Sequence, residues 1–204
     1  MISVEQGFTN AAGLPPAKVA PFGLLSRKGK PTDATAGGSI FTQIHIGPIG
    51  VFDDKPNYEW GYDDVAEAAG GKVEFKTKGG WSGFGDKYWL SALIPGQAGQ
   101  VGGEFTAKDG YYWNRVRNTQ LSPVAPGASI THKANLFAGA KEFKVLRGYS
   151  KEKSIPYLDY SIDWGWFWFI AIPFLTVLLW LFGVFGNFGV AIIGLTVIVR
   201  PFMF

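Results

Sequence analysis

The 204-residue sequence contains no cysteine. Disulfide frameworks, thiolate chemistry and cysteine-based metal sites are therefore excluded. Histidine is nearly absent as well, with only His45 and His132. The opening residues Met1-Ile-Ser-Val-Glu-Gln6 lack the basic n-region and apolar h-region of a signal peptide. Gly79-Gly80 and Gly102-Gly103 are not followed by Lys-Ser/Thr at P-loop spacing, so no phosphate loop is read. Asp53-Asp54 and Asp63-Asp64 lack EF-hand spacing and read as solvated loop acids, with no metal site. Basic and acidic residues number 19 and 16, a net charge of +3, and are interspersed rather than clustered. A nucleic-acid partner is not indicated.

Charge is missing altogether from one long stretch. Between Trp164 and Val199 every residue is uncharged, and most are Trp, Phe, Leu, Ile or Val. A run beyond about 18 apolar residues reads as a membrane segment. As one straight helix it would reach about 54 Å at roughly 1.5 Å per residue, against a hydrocarbon core of about 30 Å. A break is therefore expected between Gly183 and Gly189, where three glycines and Asn187 cluster.

The preceding residues carry turn signals every ~8–12 residues and period-2 alternation, the pattern of an antiparallel β-sandwich. Strands are expected at Ile2–Thr9, Val19–Leu25, Ile40–Ile46, Lys72–Lys78 and Ala128–Phe137. A hairpin is expected about Asp109-Gly110, a type I′ signal. Gly47–Gly50 and Gly96–Gly103 read as turns, Ser26–Gly38 as an exposed loop and Ala66–Gly71 as a loop. Lys141–Gly148 reads as a short helix.

Two sets of residues carry a family resemblance. The first is Asp163-Trp-Gly-Trp-Phe-Trp-Phe-Ile170, Pro173 and Gly186-Asn-Phe-Gly through Arg200. The second is Gly79-Gly-Trp81 with Lys87-Tyr-Trp89 and Ile94-Pro95, joined by Phe137-Ala-Gly-Ala-Lys141, where Ala140 replaces the family's usual proline. These resemble the bacterial branch of the YidC/Oxa/Alb membrane insertases.

The resemblance implies a partial mutarotase-like supersandwich at residues 1–148 in the periplasm and a linker at 149–163. An interfacial juxtamembrane helix follows at 164–186, and 187–204 is the start of the second transmembrane helix. It implies a piece of a longer protein, lacking a first transmembrane helix and most of the membrane core, and not competent by itself. The implied role is non-enzymatic and needs no cofactor: insertion and folding of inner-membrane proteins, alone or with the Sec translocon. The implied partners are nascent membrane proteins, Sec-associated subunits and the lipid bilayer. The implied location is the bacterial inner membrane, with residues 1–163 in the periplasm.

Arg200 is the foremost site candidate. An arginine on a membrane helix costs about 2.5–3.5 kcal/mol at mid-bilayer on insertion scales, so it usually faces a cavity or a partner. In the resembling family an arginine at this place lines a water-filled groove that receives clients. Trp164, Trp166, Trp168 and Trp180 are candidates for an interfacial aromatic belt. The sequence departs from the family at Ile172, Thr176, Leu179 and Phe182, where many members carry polar residues. The competing reading is a membrane-anchored carbohydrate-binding or mutarotase-like sandwich. It would require Trp60, Trp81 or Trp113 to line a sugar cleft, with His45 or His132 facing a carboxylate.

Overall fold

A computed structural model describes residues 1–31, 45–165 and 167–202. The chain forms two compact units, residues 1–163 and 164–204. The first contains β1 (Ile2–Thr9), β2 (Ala17–Val19), β3 (Phe22–Lys28), β4 (Gly47–Phe52), β5 (Lys55–Asn57) and α1 (Tyr62–Glu67). It continues with β6 (Lys72–Lys78), β7 (Trp81–Gly85), β8 (Trp89–Ile94), β9 (Gln100–Lys108) and β10 (Tyr111–Asn118). Then come β11 (Ser122–Val124), β12 (Ser129–Ala140) and α2 (Phe143–Glu152). The second unit holds α3 (Trp168–Phe185) and α4 (Phe188–Val199).

The first unit is an antiparallel, sandwich-like domain. A six-stranded sheet has the order β1-β12-β8-β7-β4-β5, and a four-stranded sheet the order β3-β10-β9-β6. A two-stranded ribbon pairs β11 with β2. The six-stranded sheet is the middle layer, because alternate residues of its strands feed two separate cores. Ile49, Val51, Trp81, Leu90, Ala92, Ile94 and Phe137 face one side and pack with Leu146 of α2, Ile155 and Leu158. Phe84 faces the other side and joins Phe75, Val101, Phe105 and Val116 of the four-stranded sheet, with Tyr62 and Val65 of α1. β7, clamped between both, is buried at every residue. Ser82 donates a hydrogen bond of 3.0 Å to Asn114 Oδ1, a buried polar link between the sheets.

Several sequence expectations meet the structure directly. β1 has the bounds that its alternation gives and pairs in full with β12. At the β9–β10 hairpin Lys108 faces Tyr111, with Asp109 and Gly110 at φ 52° and 75°, as a type I′ turn demands.

Other expectations change. Gly47–Gly50, read as a turn, belongs to the buried strand β4. Its proline is tolerated because Pro48 lies beyond the end of the β5 pairing, which covers only Gly50–Phe52. The Pro48 carbonyl is instead satisfied by His45 Nε2 at 2.9 Å. Gly102 and Gly103, read as turn, lie within β9. A Cβ on Gly103 would stand 2.6 Å from the Arg115 carbonyl oxygen and overlap the Phe75 ring. The glycine is thus a packing requirement rather than a turn signal.

The expected strand Val19–Leu25 is divided between β2 and β3, and β3 runs on to Lys28, shortening the expected loop. Residues 62–71 hold α1 and a 3-10 turn in place of the expected loop. The expected strand Ile40–Ile46 lies almost wholly outside the described residues. Its last two, His45 and Ile46, precede β4 without strand pairing. Residues 149–163, expected as a linker, are folded: they complete α2, add a 3-10 turn at Leu158–Ser161, and bury Ile155 and Leu158. Apolar burial outweighs the Pro and Ser residues that suggested a free connection.

Candidate functional site

The second unit is built on two apolar helices and the break between them. α3 has 18 residues with a mean hydropathy of 2.3, long and apolar enough to cross a membrane. It carries Pro173 in its second turn, which removes the N–H that would bond the Phe169 carbonyl and marks a place where the helix can bend. Thr176 returns its hydroxyl to the Ile172 carbonyl at 2.8 Å, so its one polar group is satisfied within the helix.

α3 ends at Gly186, in the left-handed region, whose N–H reaches the Phe182 carbonyl. Asn187 then caps α4 through Oδ1, which accepts from the N–H groups of Gly189 at 2.8 Å and Val190 at 3.3 Å. The break expected at Gly183–Gly189 is therefore a C-cap followed directly by an N-cap. The stacked rings of Phe182 and Phe188, 4.0 Å apart, bracket it. Leu181 and Ala191 are buried between the two helices.

The site candidates fall as follows. Arg200 is the exposed C-cap residue of α4 and starts a 3-10 turn with Pro201. Trp164 is half-buried, while Trp168 and Trp180 are 51% and 64% exposed, presenting large indole surfaces. Trp166 lies outside the described residues.

The tryptophans required for a sugar cleft do not converge. Trp60 packs among Phe52, Phe75 and Phe105 inside the sandwich. Trp81 is buried and donates Nε1–H to the Pro156 carbonyl at 3.0 Å. Trp113 lies under Arg115 on the strand face that turns away from the core. His132 stands opposite Gln6 in the β1–β12 ladder.

One cluster went unread in the sequence. Asp163, the last residue of the first unit, accepts the His45 backbone N–H at 3.0 Å. Burial lowers the pKa of the His45 ring, outweighing its bond to Pro48 and the nearby Asp163 carboxylate. Lys141 also feels Asp163, and Asp86. Asp86 itself accepts from Arg27 Nη1 through both carboxylate oxygens, at 2.7 and 2.8 Å. The only sequence signals were Lys141 in its aromatic-x-Gly-x-Lys context and an acid directly preceding the charge-free run.

Burial holds Lys141 down to about 8, from an ordinary value of 10.5. Below pH 8 the lysine is charged in both the folded and unfolded chain, and the desolvation penalty is present in full. Between pH 8 and about 10.5 the unfolded chain binds more protons, so stability rises with pH through that window. Lys141→Met is expected to stabilise the domain at pH 7 by on the order of 2–3 kcal/mol and to flatten this rise. Urea midpoints of the two chains at pH 7.5 and pH 10 check it. A parallel pH dependence in both would refute the assignment.

The comparisons with known proteins decide the lineage. The profile of the YidC periplasmic domain matches residues 1–177. The chain belongs to the YidC family. It is 36% identical over its whole length to the membrane protein insertase YidC of Nitrobacter hamburgensis, covering 34% of that protein. It is 38% identical over 98% of its length to the YidC of Cereibacter sphaeroides, again covering 34% of it. With the YidC of Methylorubrum extorquens the identity is 39% over 92% of the chain and 31% of the relative. The chain thus spans about a third of the length of the curated YidC proteins it matches. A YidC periplasmic domain followed by a helix of membrane length makes this an inner-membrane protein with a periplasmic segment.

Proposed function

We propose that this chain is part of a membrane protein insertase that helps hydrophobic nascent chains enter and fold in the bacterial inner membrane, alone or beside the Sec translocon. The role requires no covalent chemistry and no cofactor. The observation that carries the reading is continuity: a periplasmic-type sandwich runs directly into a capped apolar segment ending in Arg200. The sandwich is read as part of a mutarotase-like supersandwich, docking Sec-associated subunits. α3 is read as the juxtamembrane helix along the periplasmic interface, with its Trp168 and Trp180, and the preceding Trp164 and Trp166, at headgroup level.

α4 begins the crossing in this reading. Arg200 follows Asn187 by 13 residues. That is about 20 Å of helix, inside a hydrocarbon core of about 30 Å. A guanidinium at that depth is favourable only where it meets water or a polar partner. Arg200 accordingly lines a hydrated groove that lowers the cost of bringing polar parts of a client into the bilayer. Further helices must complete that groove, so residues 1–204 alone are not expected to insert clients.

The test is complementation. Cells depleted of their own insertase receive the longer protein that contains this chain, and insertion of a single-span client is followed by protease protection. Restored insertion supports the reading. A stable, membrane-located protein that leaves insertion at the depleted level refutes it.

A further inference from the structure

We infer that the outer face of the four-stranded sheet is a docking surface for an anionic phospholipid bilayer. The pleat sends Lys72, Glu74, Lys76 and Lys78 of β6 to this side, with Glu104 and Lys108 of β9. β10 adds Tyr111, Trp113, Arg115 and Arg117, and β3 adds Phe22, Leu24, Ser26 and Lys28. The strand registers align them in rows: Leu24, Arg115, Glu104 and Glu74 across one, and Phe22, Arg117, Gly102 and Lys76 across the next.

Seven cations stand here against two carboxylates, leaving +5 on a chain whose net charge is +3. The positive charge of the molecule is therefore concentrated on one face. Both carboxylates are engaged internally. Glu104 pairs with Arg115 at 2.8 Å and with Lys72 at 3.7 Å, and Glu74 pairs with Lys72. Lys28, Lys76, Lys78, Lys108 and Arg117 are left to act outward.

Apolar groups stand among the cations. Phe22 and Leu24 are 69% and 47% exposed and wall a groove of about 760 Å³ whose floor is Gly102 and Gly103. Cations interspersed with aromatic and aliphatic tips suit a headgroup layer, where charge meets phosphate and the tips reach the acyl boundary. The nearby sheet edge is less suited to adding a peptide strand. The Gln6 side chain accepts the Phe22 N–H at 3.2 Å and donates to its carbonyl at 2.6 Å, occupying the start of β3. The occupant is at hand, because the same chain carries an apolar segment of membrane length.

The test uses the full chain in lipid nanodiscs. The absence of native cysteine allows Ser26→Cys on this face and Glu152→Cys on α2, in the opposite layer, each labelled with an environment-sensitive nitrobenzoxadiazole. In discs of 70:30 phosphatidylcholine to phosphatidylglycerol, the Ser26 reporter is expected to shift to the blue and be quenched by a headgroup-attached quencher. In pure phosphatidylcholine it should remain aqueous, as should the Glu152 reporter in both. The combined variant Lys76→Gln, Lys108→Gln and Arg117→Gln is expected to lower the docked-to-undocked ratio by roughly 100-fold, taking each cation at about a fivefold effect. Raising the salt to 1 M should release the face. Identical emission in the two lipids, or a variant that docks like the parent, overturns the inference. A reporter that responds to added poly-glutamate and not to phosphatidylglycerol also overturns it, and gives the face to an acidic polypeptide.

Discussion

Phe105→Ala is expected to lower the unfolding free energy of the sandwich domain by about 3–5 kcal/mol. Phe105 is 1% exposed and holds the centre of the core between the two sheets. Its ring centroid lies 5.6 Å from Phe75, 5.8 Å from Phe84 and 6.0 Å from Trp60. Each neighbour comes from a different segment, so none can move in to fill the space without leaving its own. The loss combines the buried apolar surface with a cavity that collapses poorly. Small domains hold only about 5–15 kcal/mol, so the variant would sit near its unfolding threshold. Urea titration of tryptophan fluorescence in the detergent-solubilised chain checks it, with Phe22→Ala, on the open face, expected within about 0.5 kcal/mol of the parent. Equal midpoints for the two variants would refute the assignment of the core.

Gly83→Ala is the second large effect, about 3 kcal/mol or more. Gly83 sits opposite Ala92 in the β7–β8 ladder. A Cβ there would overlap the Ser91 carbonyl oxygen and stand 2.7 Å from Ala92 Cα. Both are backbone atoms, so relief requires β7 and β8 to separate in the middle of the six-stranded sheet. Gly7→Ala in edge strand β1 provides the contrast, since no atom lies within 4 Å of its added Cβ. That change is expected within about 0.5 kcal/mol of the parent. A Gly83→Ala chain with an unchanged urea midpoint would mean that the sheet pairing is wrong.

Gly83 also shows where the sequence was hard to read. Strands with one wet face, such as β1 and β6, announce themselves by alternation, and the Asp109-Gly110 hairpin by its turn chemistry. The charge-free run was plain for the same reason: its signal is local composition. β4 and the start of β9 are different. Close backbone approach and packing on both faces select glycine there, and glycine in sequence suggests a turn. Gly47-Pro48 and Gly102-Gly103 were misread on that account.

The candidate surfaces divide in the same way. Arg200 and Asn187 stand out because each is the rare polar residue in an apolar run. The Asp163–His45 contact joins residues 118 apart, which no local pattern reveals. The basic face was half visible, as charged residues at every second position of Lys72–Lys78. Its addition of Arg115 and Arg117 depends on strand order, which alternation does not specify.

The central claim is that residues 1–163 lie in the periplasm, that α3 rests along the interface, and that α4 carries Arg200 into the bilayer. Single cysteines at Ile172, Thr176, Leu179 and Phe182, with Phe174 and Val177 on the opposite face of α3, test it most directly. They would be placed in the longer protein in native membranes and treated with an impermeant thiol reagent. The account predicts labelling from the periplasmic side at the first four, protection at Phe174 and Val177, and no cytoplasmic access at Asn187. Uniform protection along α3, with a cysteine at Asn187 reached from the cytoplasm, would contradict it. The segment would then be a membrane hairpin, Arg200 would point toward the periplasm, and it could not line a groove open to the cytoplasm.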